Sequence, residues 1–425
     1  METNTETMSA RELKGLQIAG KFQPYLNNGV WIVPSQSGPG AYKVKADGET
    51  RRCSCPDYEL RKENCKHIFA VEFTIMAEQT TDGEVTKTTV TKTVKVSYRQ
   101  EWTSYNTAQV REKEMFLRLL FDLCSLIVEP VQTKGRKRLS YRDMIFAAAY
   151  KVYSTMSCRR FQSDLRDAYE KGYVTRVPHF NSIFNYLELE ALTPILNELI
   201  SHSALPLKAL ETDFSVDSSG FSTCQYVTWF NAKYGKATDS HDWIKMHLVT
   251  GRVTNVVTAV KITDRNTADS PVLPELVERT AGYFNVKEVS ADKAYSSVAN
   301  HNVIAKAGAM PYIAFKGNAT GAVGGLFQKM YHYFCFNKEV FLAQYHKRSN
   351  VESTFGMVKA KFGSRIRSKT PTAQINEALC KVLCHNLCCV IQSIFEFGIE
   401  ATFGIEPTLE HPRLSFDGQP SNSLN

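Results

Sequence analysis

The sequence lacks the features that mark export or a bilayer. No uncharged apolar run reaches membrane-spanning length. The nearest, residues 379–397, is broken by Lys381, His385, Asn386 and Gln392. No basic-then-apolar leader is visible, because residues 1–15 are polar and acidic. The expectation is a chain without a membrane partner, in which residues 379–397 form a buried helix. The cysteines have no even pairing: there are eleven, and Cys380, Cys384, Cys388 and Cys389 crowd into that one apolar stretch. Without export, they are expected to be reduced thiols packing as small hydrophobes. Charge of one sign is not in large excess either. Lys and Arg number 51 against 43 Asp and Glu, a formal net charge of +8 with a pI near 8.8. That modest excess leans toward a polyanionic partner. Glycine and proline are absent from residues 84–102, a stretch rich in Thr, Lys and Val. It reads as an extended linker, or as an exposed strand guarded by lysines.

What is present is ordinary globular composition, 43% hydrophobic and 22% charged over 425 residues. Such a length predicts roughly two to four domains. Residues 29–73 alternate like strands with turns and end in a Cys/His cluster, so a compact module is expected over 1–79 and a linker over 80–104. Residues 105–203 read as helical, with a Ser140 N-cap candidate before 141–154 and Gly172 as a natural helix stop. Short helices with basic residues at the turns resemble a helix-turn-helix; a plain helical bundle is the alternative. From 204 the periodicity changes. Strand, strand, strand, helix, strand, helix, strand, helix follow in turn, which implies a mixed sheet covered by helices over 204–400, before a tail over 401–425.

The stretch "YHKRSNVESTFGMVK" (345–359) spaces Tyr345, Arg348, Glu352 and Lys359 three, four and seven apart. On one α-helix, at ~100° per residue, the four fall at roughly 0°, −60°, −20° and −40°, one narrow face. Two further acids stand at instructive places: Asp217 at the end of the first strand of this region, and Asp292 at the end of the fourth. Carboxylates gathered at strand ends repel unless cations sit between them, and hard oxygen ligands suit Mg²⁺ or Mn²⁺. Asp213 rivals Asp217, lying four residues earlier on the same strand face; the "DSSGF" context favours Asp217. Asp242, Asp264 and Asp269 read as caps of strands or helices. Trp229 and Trp243 read as buried structural side chains.

These residues resemble the DDE transposases. The element order matches a ribonuclease-H-like fold, and Asp217, Asp292 and Glu352 match the Asp-Asp-Glu triad. Tyr345-x2-Arg348-x3-Glu352-x6-Lys359 matches the Y-R-E-K signature of bacterial insertion-sequence transposases. The resemblance covers roughly residues 140–400. It implies that the triad binds the catalytic metals, that Arg348 and Lys359 contact phosphates near the cleaved end, and that Tyr345 positions that end. Beyond Lys359, the basic residues Lys361, Arg365, Arg367 and Lys369 read as further DNA-backbone contacts. Two departures from the best-known members stand out. Only 59 residues separate Asp292 from Glu352, too few for a large β-rich insertion, and a Cys/His module precedes the helical region.

That module contains Cys53, Cys55, Cys65 and His67 in the pattern C-x-C-x9-C-x-H. Three thiolates and one imidazole complete a closed tetrahedral shell for Zn²⁺, the mark of a structural site; free reduced cysteines are the alternative. The pattern resembles the SWIM zinc finger, whose relatives bind DNA or protein. Arg51, Arg52, Arg61, Lys62 and Lys66 around the ligands favour DNA. The sequence as a whole thus predicts an α/β protein: a ribonuclease-H-like catalytic domain, an N-terminal zinc module and an α-helical DNA-binding region. The resemblance implies metal-dependent hydrolysis at transposon ends, then joining of the 3′-hydroxyls to target DNA. It also implies double-stranded DNA as partner, a homodimer on that DNA, and a place in the cytoplasm of a prokaryote at the nucleoid. The alternatives are a catalytically inactive, transposase-derived DNA-binding or regulatory protein, and a zinc-finger interaction module on an inert scaffold.

Overall fold

A computed structural model describes residues 9–35, 40–47, 50–78, 101–135, 137–223, 243–401 and 403. Most of the expected linker, the tail beyond 403, Trp229 and Asp242 lie outside the described residues. The chain divides into two compact units, one formed by Met1–Ser97 with Ser290–Lys347 and the other by Tyr98–Val289 with Arg348–Asn425.

In the first unit, α1 (Ala10–Phe22) opens with a capping box, Ser9 receiving the Glu12 N–H while the Glu12 carboxylate receives the Ser9 N–H. A four-stranded antiparallel sheet follows: β1 (Tyr25–Asn27), β2 (Val30–Pro34), β3 (Ala41–Asp47) and β4 (Thr50–Cys53). Helices α2 (Pro56–Arg61) and α3 (Lys66–Glu78) complete the module. Gly15 lets α1 lie directly on α3, since a Cβ there would stand 2.5 Å from that of Phe69.

The second unit begins with helices α4 (Trp102–Cys124), α5 (Tyr141–Ser154), α6 (Gln162–Glu170), α7 (Phe180–Leu187) and α8 (Leu192–Ala204). Trp102, Thr103 and Ser104, placed in the linker on sequence, are the first turn of α4. A meander follows: β5 (Asp213–Ser222), β6 (Trp243–Gly251) and β7 (Val257–Asp264), paired antiparallel with Asp217 opposite Leu248. Helix α9 is Leu273–Tyr283. With β8 (Glu288–Ala291) and β9 (Met310–Ile313), the sheet order is β7-β6-β5-β8-β9. Asp217 is therefore mid-strand, not at a strand end as expected. β5 runs on to Ser222 because Gly220 lets the Trp243 ring of β6 lie over it; a Cβ there would be 2.8 Å from the ring.

The remaining helices are α10 (Val298–Lys306), α11 (Gly325–Phe336), α12 (Lys338–Tyr345), α13 (Ser349–Phe362) and α14 (Pro371–Phe397). α11 and α12 were not foreseen between the last strand and the signature. Nor is the signature one helix: α12 ends at Tyr345, His346–Arg348 is a tight 3-10 turn, and α13 starts at Ser349. Short polar residues such as Ser349 and Asn350 bond backbone groups and disfavour helix interiors. Here Asn350, in the first turn of α13, donates from Nδ2 to the Gly251 carbonyl at 2.9 Å.

α14 is, among the described residues, the helix long and apolar enough to cross a membrane, yet most of it is buried in the protein. It packs on α4, α5, α7, α8 and β7. Its cysteines are free thiols; Cys380, Cys384 and Cys389 are buried, and burial pushes the Cys380 thiol up to about 12. Several of its buried polar residues bond backbone groups. Asn386 takes the place of a strand neighbour for Val257, accepting from its N–H at 2.8 Å and donating to its carbonyl at 2.7 Å. That supplies partners where the β6–β7 register shifts between Val249 and Thr250. Asn386→Leu is expected to strand both Val257 groups at a cost of about 2–4 kcal/mol, read as a lower urea midpoint. An unchanged midpoint would show that the ladder repairs itself.

Candidate functional site

Charge gathers the first and third of the three acids. In the second unit, Arg348 places one guanidinium nitrogen 2.7 Å from Asp217 Oδ2 and another 2.9 Å from Glu352 Oε1. Asp217 comes from the middle of β5 and Glu352 from the first turn of α13, so the guanidinium fork spans strand and helix. Asp213, the rival first acid, pairs instead with Arg252 at 2.8 Å. Lys359, two turns further along α13, donates to Ser219 Oγ at 2.6 Å and lies 5.0 Å from the centre of the Phe221 ring. Partial burial lowers its pKa. β5 thus presents Asp217, Ser219 and Phe221 to α13, at the alternate positions that share a strand face.

α13 is held in register at both ends. Asn350 bonds Gly251, and Thr354 Oγ1 lies 3.4 Å from Asn255 Oδ1, both in the β6–β7 turn. Gly251 is required there, since a Cβ would fall 2.4 Å from Glu211, whose carboxylate receives the N–H groups of Val253 and Thr254. Beyond α13, the Ile366 N–H donates to the Ser222 carbonyl at 2.9 Å. Two residues of α14 fix that loop. Buried Lys381 donates to the carbonyls of Phe362, Gly363 and Arg365 at 2.7–2.8 Å, and Glu377 receives the N–H groups of Arg367 and Ser368. Burial pulls the Lys381 ammonium down to about 8.

In the first unit, Asp292 directly follows β8, and the Tyr345 hydroxyl donates to its Oδ1 at 3.3 Å. Ser290 Oγ donates to the Gln344 carbonyl at 3.4 Å, tying the strand before Asp292 to the end of α12.

The basic residues after Lys359 differ in setting. Lys361 is ion-paired with the buried Glu112, Arg367 donates to the carbonyls of Thr155 and Met156, and Arg365 is exposed. A cavity of about 330 Å³ lined by Lys113, Tyr150, Tyr153, Asp164 and Lys361 contains none of the acids.

Asp269 was expected to be a cap and is not. It makes no cap bond; it sits 2.6 Å from Lys245 Nζ, receives the Ser218 hydroxyl at 2.9 Å and lies 3.5 Å from His247 Nδ1. Burial lowers the His247 pKa to about 4, so the ring is neutral near pH 7. This cluster lies beside the neighbour of Asp217, and sequence reasoning missed it. The only signal was a lysine and a histidine two apart on one strand. Asp264 does act as a local cap, receiving the Asn266 N–H at 2.7 Å.

The Cys/His cluster is assembled as its spacing predicts. Cys53 ends β4, Cys55 caps α2 and receives the Tyr58 N–H at 3.4 Å, and His67 lies in the first turn of α3. All four residues are buried, with donor atoms within 4.8 Å of one another. His67 Nδ1 is 3.9 Å from both Cys53 and Cys65 Sγ, close to the edge of a Zn²⁺ tetrahedron, roughly 3.6–3.8 Å for zinc–donor bonds of about 2.0–2.3 Å. The hydrogen bond with Cys53 lowers the pKa of the Cys65 thiol and raises that of Cys53. The donor set fits structural zinc. Purified protein is expected to carry about one Zn²⁺ per chain, lost on joint Cys53→Ser and Cys65→Ser substitution. Freshly purified wild type without zinc by elemental analysis would refute this.

Comparison with known proteins supports both readings. Residues 208–387 match the transposase DDE domain, and residues 40–75 match the SWIM zinc finger. Neither the curated proteins nor the solved structures returned a match. The mixed sheet of order β7-β6-β5-β8-β9, covered by helices, is the ribonuclease-H-like architecture that a DDE domain implies. The chain therefore carries a DDE transposase domain of ribonuclease-H-like fold together with an N-terminal SWIM zinc finger.

Proposed function

We propose that this protein is a DNA transposase that binds the ends of its element, cleaves them by metal-dependent phosphodiester hydrolysis and joins the freed 3′-hydroxyls to target DNA. The observation that carries the reading is the shared guanidinium. Within the matched domain, the signature arginine holds the first and third acids at 2.7 and 2.9 Å. Two carboxylates drawn onto one cation form an anionic donor set that would repel itself without positive charge.

Asp217, Asp292 and Glu352 offer the hard oxygen donors that suit Mg²⁺ or Mn²⁺ and would hold it. A divalent ion bound there supplies Lewis acidity to a phosphodiester and lowers the pKa of a water. The chain's own residues do the rest. Arg348 orients the carboxylates of Asp217 and Glu352 and offers its guanidinium to a phosphate. Lys359, held by Ser219 against Phe221, presents a half-buried ammonium from the same helix. The Tyr345 hydroxyl fixes the rotamer of Asp292 through its bond to Oδ1. Arg365 adds an exposed basic contact beyond α13. Handling two element ends calls for two copies of the site, hence a homodimer on DNA. The helices over 105–203 are the region proposed to recognise the ends.

Asp217→Ala, Asp292→Ala and Glu352→Ala are each expected to abolish end cleavage and leave end binding largely intact, whereas Asp213→Ala retains cleavage. Wild-type cleavage in any of the first three removes that residue from the site. Replacing Arg348 or Lys359 with Ala should lower the salt slope of DNA binding by about one unit. If these residues only brace α13, the same variants would melt earlier with an unchanged slope.

A further inference from the structure

We propose that the zinc finger serves as an internal brace for the segment between the second and third acids, and that Arg51 is the positioning residue that joins the two. The functional part of this inference rests on the transposase reading above.

Size and composition set the problem. The stretch 310–345 carries Tyr312, Phe315, Phe327, Tyr331, Tyr333, Phe334, Phe336, Phe341 and Tyr345, far more aromatic surface than so short a chain can bury on itself. The finger is equally short of core and relies on a metal. In the first unit the two deficits cancel. The ligands Cys53, Cys55 and Cys65, with Trp31, Val44 and Ile68, form one core with Phe315, Phe327, Met330, Phe336 and Phe341.

Polar contacts lock that core. Arg51, two residues before Cys53, donates from Nε to the Cys335 carbonyl at 2.8 Å, pairs with Glu72 of α3 and lies 6.0 Å from the Phe336 ring centre. Its own carbonyl receives the Tyr58 hydroxyl at 2.6 Å, and Tyr58 N–H donates to the ligand Cys55. Asn337 Nδ2, at the α11–α12 junction, reaches the Glu72 carbonyl at 3.4 Å. Phe341 carries the packing along α12 onto Tyr312 of β9, 5.4 Å between ring centres. At the end of α12 stand Gln344, bonded by Ser290, and Tyr345, bonded to Asp292. A continuous, packed and hydrogen-bonded route inside one unit thus leads from the zinc ligands to the second acid. Arg51, counted on sequence among residues facing DNA, is turned inward by these bonds, while Arg52, Arg61 and Lys62 stay exposed.

Hydrogen exchange on the full chain tests this. Removing zinc by a chelator, or by Cys53→Ser with Cys65→Ser, should raise amide exchange in 325–345 by about tenfold or more and leave 213–222 and 243–264 protected. Arg51→Ala, with zinc content retained, should also loosen 325–345. It should lower kcat for end cleavage while the salt slope of DNA binding stays at its wild-type value, and Arg51→Lys should restore part of the loss. Protection of 325–345 that survives zinc removal overturns the brace, as does an Arg51→Ala protein with wild-type exchange and kcat. Loosening of 325–345 in a wild type that never cleaves DNA would leave the brace standing and remove the transposase reading instead.

Discussion

Two ionised carboxylates held close together repel unless a cation sits between them. The second unit is organised around the cation that does this. Arg348 has to reach Asp217 on a strand and Glu352 on a helix at once, so α13 must lie on β5 in one register. The surrounding structure enforces that register. The β6–β7 turn holds the start of α13 through Asn350 and Thr354. Lys359 on Ser219 fixes its last turn, and Lys381 and Glu377 of α14 fix the loop that leaves it. Two of the buried polar residues of α14, puzzling in so apolar a helix, are explained by this duty: Lys381 and Glu377 hold the loop. Asn376, Glu377, Lys381, His385 and Asn386 are each bonded to backbone groups of neighbouring segments.

The first unit obeys a different constraint, the minimum core. Neither a zinc finger nor the residues between β9 and the signature can bury enough apolar surface alone, and the shared core answers for both. The finger is therefore best regarded as part of the scaffold that carries Asp292 and Tyr345, although it precedes them by more than two hundred residues in the sequence.

Much of this was legible in the sequence because it depends on short-range pattern. The meander could be read from alternation, Asp292 from its place after a short apolar strand, and the zinc ligands from a spacing that suits a tetrahedral metal shell better than free thiols. Asp217 could be singled out by its local context, but its mid-strand position depends on Trp243 lying over Gly220, a contact made across the sheet. The break at 346–348 was hidden because Tyr345, Arg348, Glu352 and Lys359 fit one helical face whether or not the helix is continuous. The start of α13 is tied to a distant turn through Asn350, a contact that leaves no mark in the spacing. The role of Asp269 was hidden for the same reason, since its partners Ser218, Lys245 and His247 come from two other strands. Shared cores between segments distant in sequence leave no periodic signature, so the coupling of the finger to α11 and α12 could be seen only in three dimensions.

The claim on which the account turns is that the acids held by Arg348 cut DNA at defined ends. The direct measurement is to incubate the purified, zinc-loaded protein with Mg²⁺ and a plasmid bearing the DNA that flanks its own coding sequence, then sequence every new 3′-hydroxyl terminus. The account predicts termini clustered at two inverted-repeat boundaries, with part of them joined to new DNA. Termini scattered without preference, or none in either Mg²⁺ or Mn²⁺, would contradict it.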